Sequence, residues 1–163
     1  MKKLIIAGGS GFIGKNISQH FKDKGYSVMV FTRGSSIIRD GVQYLCWDAK
    51  TLGSWTAELE GADLVINLTG KSVDCRYTEA NKQEILNSRV DSTKIIGEAI
   101  QKCKTPPKLW INSSTATIYR YSLDKAMTEE NGEYGNDFSM NVAKAWEDAF
   151  FSAPTPSTRK VAL

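Results

Sequence analysis

Hydrophobic positions in this chain follow two rhythms, short solid runs and longer stretches that repeat about every four residues. Residues 4–7 form the first solid run and lead into Gly8, Gly9, Ser10 and Gly11, the pattern of a buried strand entering a tight turn. Past the glycines, Ile13, Ile17 and Phe21 mark one face of a predicted helix that stops near Gly25. Residues 27–32 and 42–47 predict the second and third strands, and residues 55–59 a short helix before Gly61. Residues 63–68 make the most strand-like run in the chain. A long helix is predicted over 79–103, with Leu86, Val90, Ile96 and Ile100 on or near its inner side, broken by Pro106 and Pro107. Residues 109–112 predict a fifth strand, 137–151 a helix ended by Pro154 and Pro156, and 159–163 a sixth strand.

Strands alternating with helices at this spacing demand an α/β fold, a Rossmann-type doubly wound parallel sheet with helices on both faces. At 163 residues the chain suffices for one such domain over residues 1–163 and little more. It stops inside its last predicted strand, so the expectation is the N-terminal part of a longer chain, without the C-terminal part that binds substrate.

Composition narrows the classes of partner. With 41% hydrophobic and 24% charged residues the chain reads as an ordinary globular domain. Its net charge of +3 comes from scattered Lys and Arg, which excludes a dedicated nucleic-acid surface. Cys46, Cys75 and Cys103 lie far apart without CxxC spacing, and His20 stands alone, so no metal site is expected. The first apolar run is too short for a signal peptide, and no run reaches membrane-spanning length. The expectation is a cytoplasmic protein with no membrane partner; its oligomeric state stays open, a homo-oligomer included.

The segment from Gly8 to Gly14 carries the clearest chemistry. Gly8, Gly11 and Gly14 stand three apart, where a sharp turn, a close approach of backbone to pyrophosphate and a close helix contact each exclude a side chain. Gly9, Ser10, Phe12 and Ile13 complete the loop, whose amides at the helix N-terminus suit phosphate oxygens. The strand before and the helix after supply the context that a dinucleotide site requires. Arg33 follows the second strand, where an acid would bind a ribose 2′-hydroxyl and an Arg accommodates a 2′-phosphate; the expected cofactor is therefore NADP in preference to NAD. Asp48, after the third strand, is a candidate adenine contact.

Together with Asn67, Leu68, Thr69 and Gly70 after the fourth strand and Ser113 and Ser114 after the fifth, the turn resembles extended short-chain dehydrogenases/reductases of the NAD-dependent epimerase/dehydratase type. More narrowly the chain is similar to the nucleoside-diphosphate-sugar epimerase-like branch, also described as cell-division-inhibitor-like, through Arg76-Tyr77-Thr78, Ile85, Ser88-Arg89, Asp137-Phe138 and Trp146-Glu147. The resemblance implies that Leu68, Thr69 and Gly70 lie beside the cofactor. It also implies that Ser113 or Ser114 hydrogen-bonds the reacting oxygen of a small polar substrate such as a sugar nucleotide, with Tyr119 at the pocket rim.

One departure bears on activity. The family's acid/base Tyr and the Lys four residues later fall on Ser139 and Ala143 here, and neither can do that work. Tyr121 and Lys125 share the spacing but sit in a stretch without helical periodicity, and Lys144 is one residue out of place. Two readings stay open. One is an oxidoreductase or epimerase working by hydride transfer, with Ser113, Ser114 and Tyr119 as its polar groups. The other is a catalytically silent NADP-binding sensor or regulatory protein.

Overall fold

In the computed structural model, which describes residues 1–163, the alternation of side chains along β1 (Lys3–Ala7) decides how the sheet is covered. Leu4 and Ile6 point to one face and Ile5 and Ala7 to the other, and all four are fully buried. A strand buried on both faces must be central and covered from both sides. β1 pairs in parallel with β2 (Ser27–Thr32) on one side and with β5 (Leu64–Asn67) on the other, Ile5 standing opposite Met29 and Val65. β4 (Val42–Cys46) extends the sheet beyond β2, and β6 (Leu109–Asn112) and β7 (Arg159–Ala162) extend it beyond β5. With β3 (Ile37–Arg39) at the edge the order is β3-β4-β2-β1-β5-β6-β7, and every pairing is parallel except β3 with β4.

One face carries α1 (Phe12–Asp23), whose Ile17 and Phe21 pack on Leu4, Ile6, Val28, Val30, Val42 and Ile66. The other holds the larger core under α2 (Glu79–Gln101) and α3 (Phe138–Phe151), where Trp110 lies edge-on to Phe150 at 4.6 Å. Trp47 and Trp55 pack edge to face at 5.3 Å, each also against Phe31. No helix is long and apolar enough to cross a membrane.

Three details depart from the sequence reading. A seventh strand, β3, joins β4 through Asp40 and Gly41, both at positive φ (51° and 73°). Asp-Gly is a strong signal for a two-residue hairpin, and it stood in the sequence unused. Ile13 was expected on the inner face of the first helix but is 62% exposed, because the helix begins at Phe12 and its first turn overhangs the end of the sheet. In α2 the inner side runs through Ile85, Ser92, Thr93, Ile96 and Ile100, while Leu86 and Val90 are only partly covered. A count of apolar residues alone passes over Ser92 and Thr93, which are buried because they hydrogen-bond.

Candidate functional site

The sheet order reverses at β1: the chain goes out to β2 on one side and returns to β5 on the other. Ligands of open parallel sheets bind at the carboxyl ends of the strands flanking such a point. A groove of about 1,050 Å³ opens there, lined by Gly8, Ser10 and Gly11 after β1, Arg33 after β2, Asp48 after β4, and the loop after β5.

Gly8 adopts φ 72°, and a Cβ on it would lie 2.9 Å from the backbone of Thr69. Only glycine lets the two loops lie so close. A Cβ on Gly14 would lie 2.3 Å from Gly9 Cα, which sets α1 directly on the turn. At Gly11 the same position meets nothing within 4 Å and faces open space. Gly11 is also the N-cap of α1; no side chain caps the helix and no acid occupies its first turn. The first-turn amides are thus left for an external acceptor, and the residues present fit a pyrophosphate.

Not every expected cofactor residue faces the groove. Gly8, Ser10, Gly11, Arg33, Asp48, Leu68, Thr69 and Gly70 line it. Gly9 and Gly14 lie behind, holding turn and helix together, and the side chains of Phe12 and Ile13 are 84% and 62% exposed outside it. Arg33 forms no salt bridge. Asp48 turns its carboxylate on its own loop: Oδ1 accepts from the amides of Lys50 and Thr51, and Oδ2 from the Thr51 hydroxyl at 2.6 Å. These bonds, the Thr51 hydroxyl first, hold its pKa at about 2. The loop also puts Lys50 on the groove wall, a second cation that periodicity could not single out.

Leu68, Thr69, Gly70, Lys71 and Ser72 line both this groove and a second cavity of about 640 Å³ between the end of β6, α2 and α3, so the two spaces adjoin along this loop. Ser113 and Ser114 enter the cavity from β6, and Ser139 and Ala143 face them from α3. The positions expected for a Tyr–Lys pair therefore are at the cavity wall, occupied by a hydroxymethyl and a methyl group. Lys144 points away and donates to Gly135 O at 2.9 Å. Tyr121 is 79% exposed in a loop where Lys125 pairs with Glu133, outside the cavity.

The two serines differ. The Ser113 hydroxyl has no partner in the protein. The Ser114 hydroxyl donates to the Glu147 carboxylate, 33 residues along the chain. Glu147 served in the sequence only as a landmark, and nothing in its spacing announced this contact. Tyr119, expected at the rim, is not among the lining residues. Its backbone pairs with Tyr134, its ring lies 6.0 Å from that of Tyr134, and burial with Tyr134 nearby pushes its pKa up. The chain leaves the cavity at Thr117 and turns into this pairing.

Beneath the cavity lies a fully buried polar knot. Asn67 Nδ2 donates to Asn112 Oδ1 at 2.8 Å and to Thr93 Oγ1 at 3.1 Å. Trp146 Nε1 donates to Thr93 Oγ1 at 2.9 Å, and Thr93 donates to Asn112 Oδ1. Asn67 Oδ1 accepts from the Thr69 amide, and Asn112 Nδ2 donates to Ser113 O. The knot joins β5, β6, α2 and α3 and sets the backbone of both Thr69 and Ser113. Above it Arg89 stacks on Trp146, its guanidinium carbon 5.2 Å from the ring centroid.

A glycine turn at a topological switch point, with an open helix N-terminus and a second cavity beyond it, defines a Rossmann-type dinucleotide-binding domain. Residues 4–142 match the NAD dependent epimerase/dehydratase family, and the chain belongs to it. It is 34% identical over 145 residues to the epimerase family protein YfhF of Bacillus subtilis, covering 88% of this chain and 48% of that protein. It is 30% identical over 164 residues to the epimerase family protein SDR39U1 of Bos taurus, covering 99% of this chain and 52% of the relative. Human SDR39U1, solved with NADPH, superposes with a TM-score of 0.81 at 30% identity, over 98% of this chain and 52% of that one. A nucleoside-diphosphate sugar epimerase from Corynebacterium glutamicum shares the fold, with a TM-score of 0.77 at 23% identity over 99% of this chain and 33% of that one. The chain thus spans about half the length of the curated relatives it matches.

Proposed function

We propose that this chain is the cofactor-binding domain of an NADP-dependent oxidoreductase or epimerase acting on a small polar substrate of the sugar-nucleotide kind. The observation that carries this reading is that the glycine-turn groove adjoins a cavity lined by serine hydroxyls, the two sharing the wall from Leu68 to Ser72. Gly8, Ser10, Gly11 and the open first turn of α1 would hold the pyrophosphate, and the unpaired Arg33 a 2′-phosphate. A related human protein was solved with NADPH, which supports the choice of cofactor. A bound nicotinamide would supply the hydride donor and acceptor.

The protein's own part is to hold the substrate oxygen and move its proton. Ser113 keeps its hydroxyl free to donate to that oxygen. Ser114 donates to Glu147, which leaves the serine oxygen as an acceptor. A substrate hydroxyl proton passes to Ser114 as the serine's own proton passes to the Glu147 carboxylate. This relay stands in for the missing Tyr–Lys pair. The absence of that pair at Ser139 and Ala143 favours a second reading, a sensor that binds NADP without turnover.

Calorimetric titration of the full chain with NADPH and NADH, repeated on Arg33→Ala, tests the cofactor. Tight NADPH binding that weakens selectively in the variant is expected; equal affinity for both nucleotides refutes the role of Arg33. Nicotinamide oxidation or reduction against a panel of sugar nucleotides then separates the two readings. Ser114→Ala and Glu147→Gln should both lower kcat about 10²-fold or more if the relay operates. Full activity in Glu147→Gln excludes it.

A further inference from the structure

We infer that the substrate carries a carboxylate and that Arg89 is the residue that binds it. The inference rests on the proposed division of the site into a cofactor groove and a substrate cavity. Arg89 comes from α2 and lines the cavity but not the groove. Its Nη1 is used twice, donating to Lys71 O at 3.1 Å and Ile85 O at 3.0 Å. Those bonds and the Trp146 ring lock the plane of the guanidinium. Its Nε and Nη2 donors have no protein partner, and they are not sealed from the cavity.

No acid neutralises this charge. Arg89 forms no salt bridge, and the lining of the cavity contains no Asp or Glu. Burial pushes the guanidinium pKa down, which records the desolvation of a cation without a counter-ion. A half-buried cation that pays this cost and keeps a flat edge of donors free has the form of an oxyanion receptor. The only other cation on the cavity wall, Lys71, is tied to Glu84 and to Asn81 Oδ1 at 2.8 Å. One free positive charge balances the single charge of a carboxylate in full and the two of a phosphate monoester only in part, and the two-donor edge can hold both carboxylate oxygens at once. Tyr77, Phe138 and Val142 supply apolar wall for the body of such a molecule. In sequence Arg89 was only part of a family-like motif; its free edge appears once α2 is folded against α3.

The test uses benzoate, benzamide and phenyl phosphate as probes, titrated by calorimetry into the NADPH-saturated full chain and into the chain without nucleotide. Benzoate is expected to bind at least tenfold more tightly than its neutral isostere benzamide, and more tightly than phenyl phosphate. Arg89→Gln should remove the preference for benzoate, and Arg89→Lys should retain only part of it, with NADPH affinity unchanged in both. Equal binding of benzoate and benzamide to the unmodified chain overturns the inference without recourse to any variant. Tighter binding of phenyl phosphate overturns the carboxylate assignment. Loss of NADPH affinity in a folded Arg89→Gln chain shows that Arg89 serves the nucleotide and also overturns it. If NADPH does not bind at all while benzoate still requires Arg89, the cofactor reading fails and the anion site stands.

Discussion

Thr93 is the hub of the buried knot, and replacing it with Val tests what the knot contributes. Valine keeps the β-branched shape on α2 and exchanges only the hydroxyl for a methyl group. Thr93 Oγ1 accepts from Trp146 Nε1 at 2.9 Å and from Asn67 Nδ2 at 3.1 Å, and donates to Asn112 Oδ1 at 3.3 Å. Asn67 and Asn112 keep their direct bond at 2.8 Å in the variant, so each loses one partner of several. The Trp146 indole N–H loses its only partner, on a residue 5% exposed. One orphaned buried donor costs about 1–3 kcal/mol, and this sets the size of the effect. For a chain of this length each kcal/mol lowers Tm by about 2–4 °C. Thermal unfolding followed by circular dichroism should therefore show Thr93→Val melting roughly 2–12 °C lower. Trp146→Phe removes the donor as well, so the double variant should recover about 1 kcal/mol relative to the sum of the single changes. Strict additivity, or a Thr93→Val cost under about 0.5 kcal/mol, refutes the assignment of Thr93 as hub.

Two glycine variants and one pH series complete the predictions. Gly14→Ala would drive a Cβ to 2.3 Å from Gly9 Cα and should cost several kcal/mol or abolish folding, whereas Gly11→Ala meets no atom within 4 Å, should melt like the parent and should lose NADPH affinity. Equal Tm values for the two, or unimpaired NADPH binding by Gly11→Ala, would contradict the roles assigned to them. The Asp48 carboxyl, held at about 2 against an ordinary 3.8, contributes its stabilisation in full above about pH 4 and loses it as pH falls towards 2. Because the group is almost fully exposed, the contribution is small, under about 1 kcal/mol. Asp48→Asn should accordingly differ from the parent by a constant, small amount between pH 5 and 8 in denaturant unfolding; a difference that varies across that window would be inconsistent with the depressed pKa.

Local features of the chain carried much of this fold. A solid apolar run before Gly8 and a repeat near four after Gly14 are properties of neighbours in sequence, and they sufficed for β1, the glycine turn and α1. The parallel pairing of the sheet followed from helices placed between strands, since parallel neighbours need such crossovers, and their single allowed hand fixes the face each helix covers. Two features lie outside that apolar pattern: Asp40-Gly41 marks a hairpin by local backbone conformation, whereas Thr93 is buried by hydrogen bonds to residues distant in sequence rather than by apolarity.

The chemistry of the site divides along the same line. Spacing in sequence pointed to Gly8, Gly11 and Arg33, and the family resemblance to Ser113 and Ser114; all five stand just after parallel strands, which emerge at one edge of the sheet, and they line the groove or the cavity there. Sequence could not tell Ser113 from Ser114, since their difference lies in Glu147, which reaches Ser114 from another helix. Nor could it find Arg89 as a free cation, because whether a side chain is paired depends on every element packed around it. Tertiary structure also removed Tyr119 from the cavity by pairing it with Tyr134. Periodicity reports which way a residue faces within its own element. Only the packing of elements fixes what it meets there, and the polar groups that meet across α2, α3 and β6 decide what this cavity can bind.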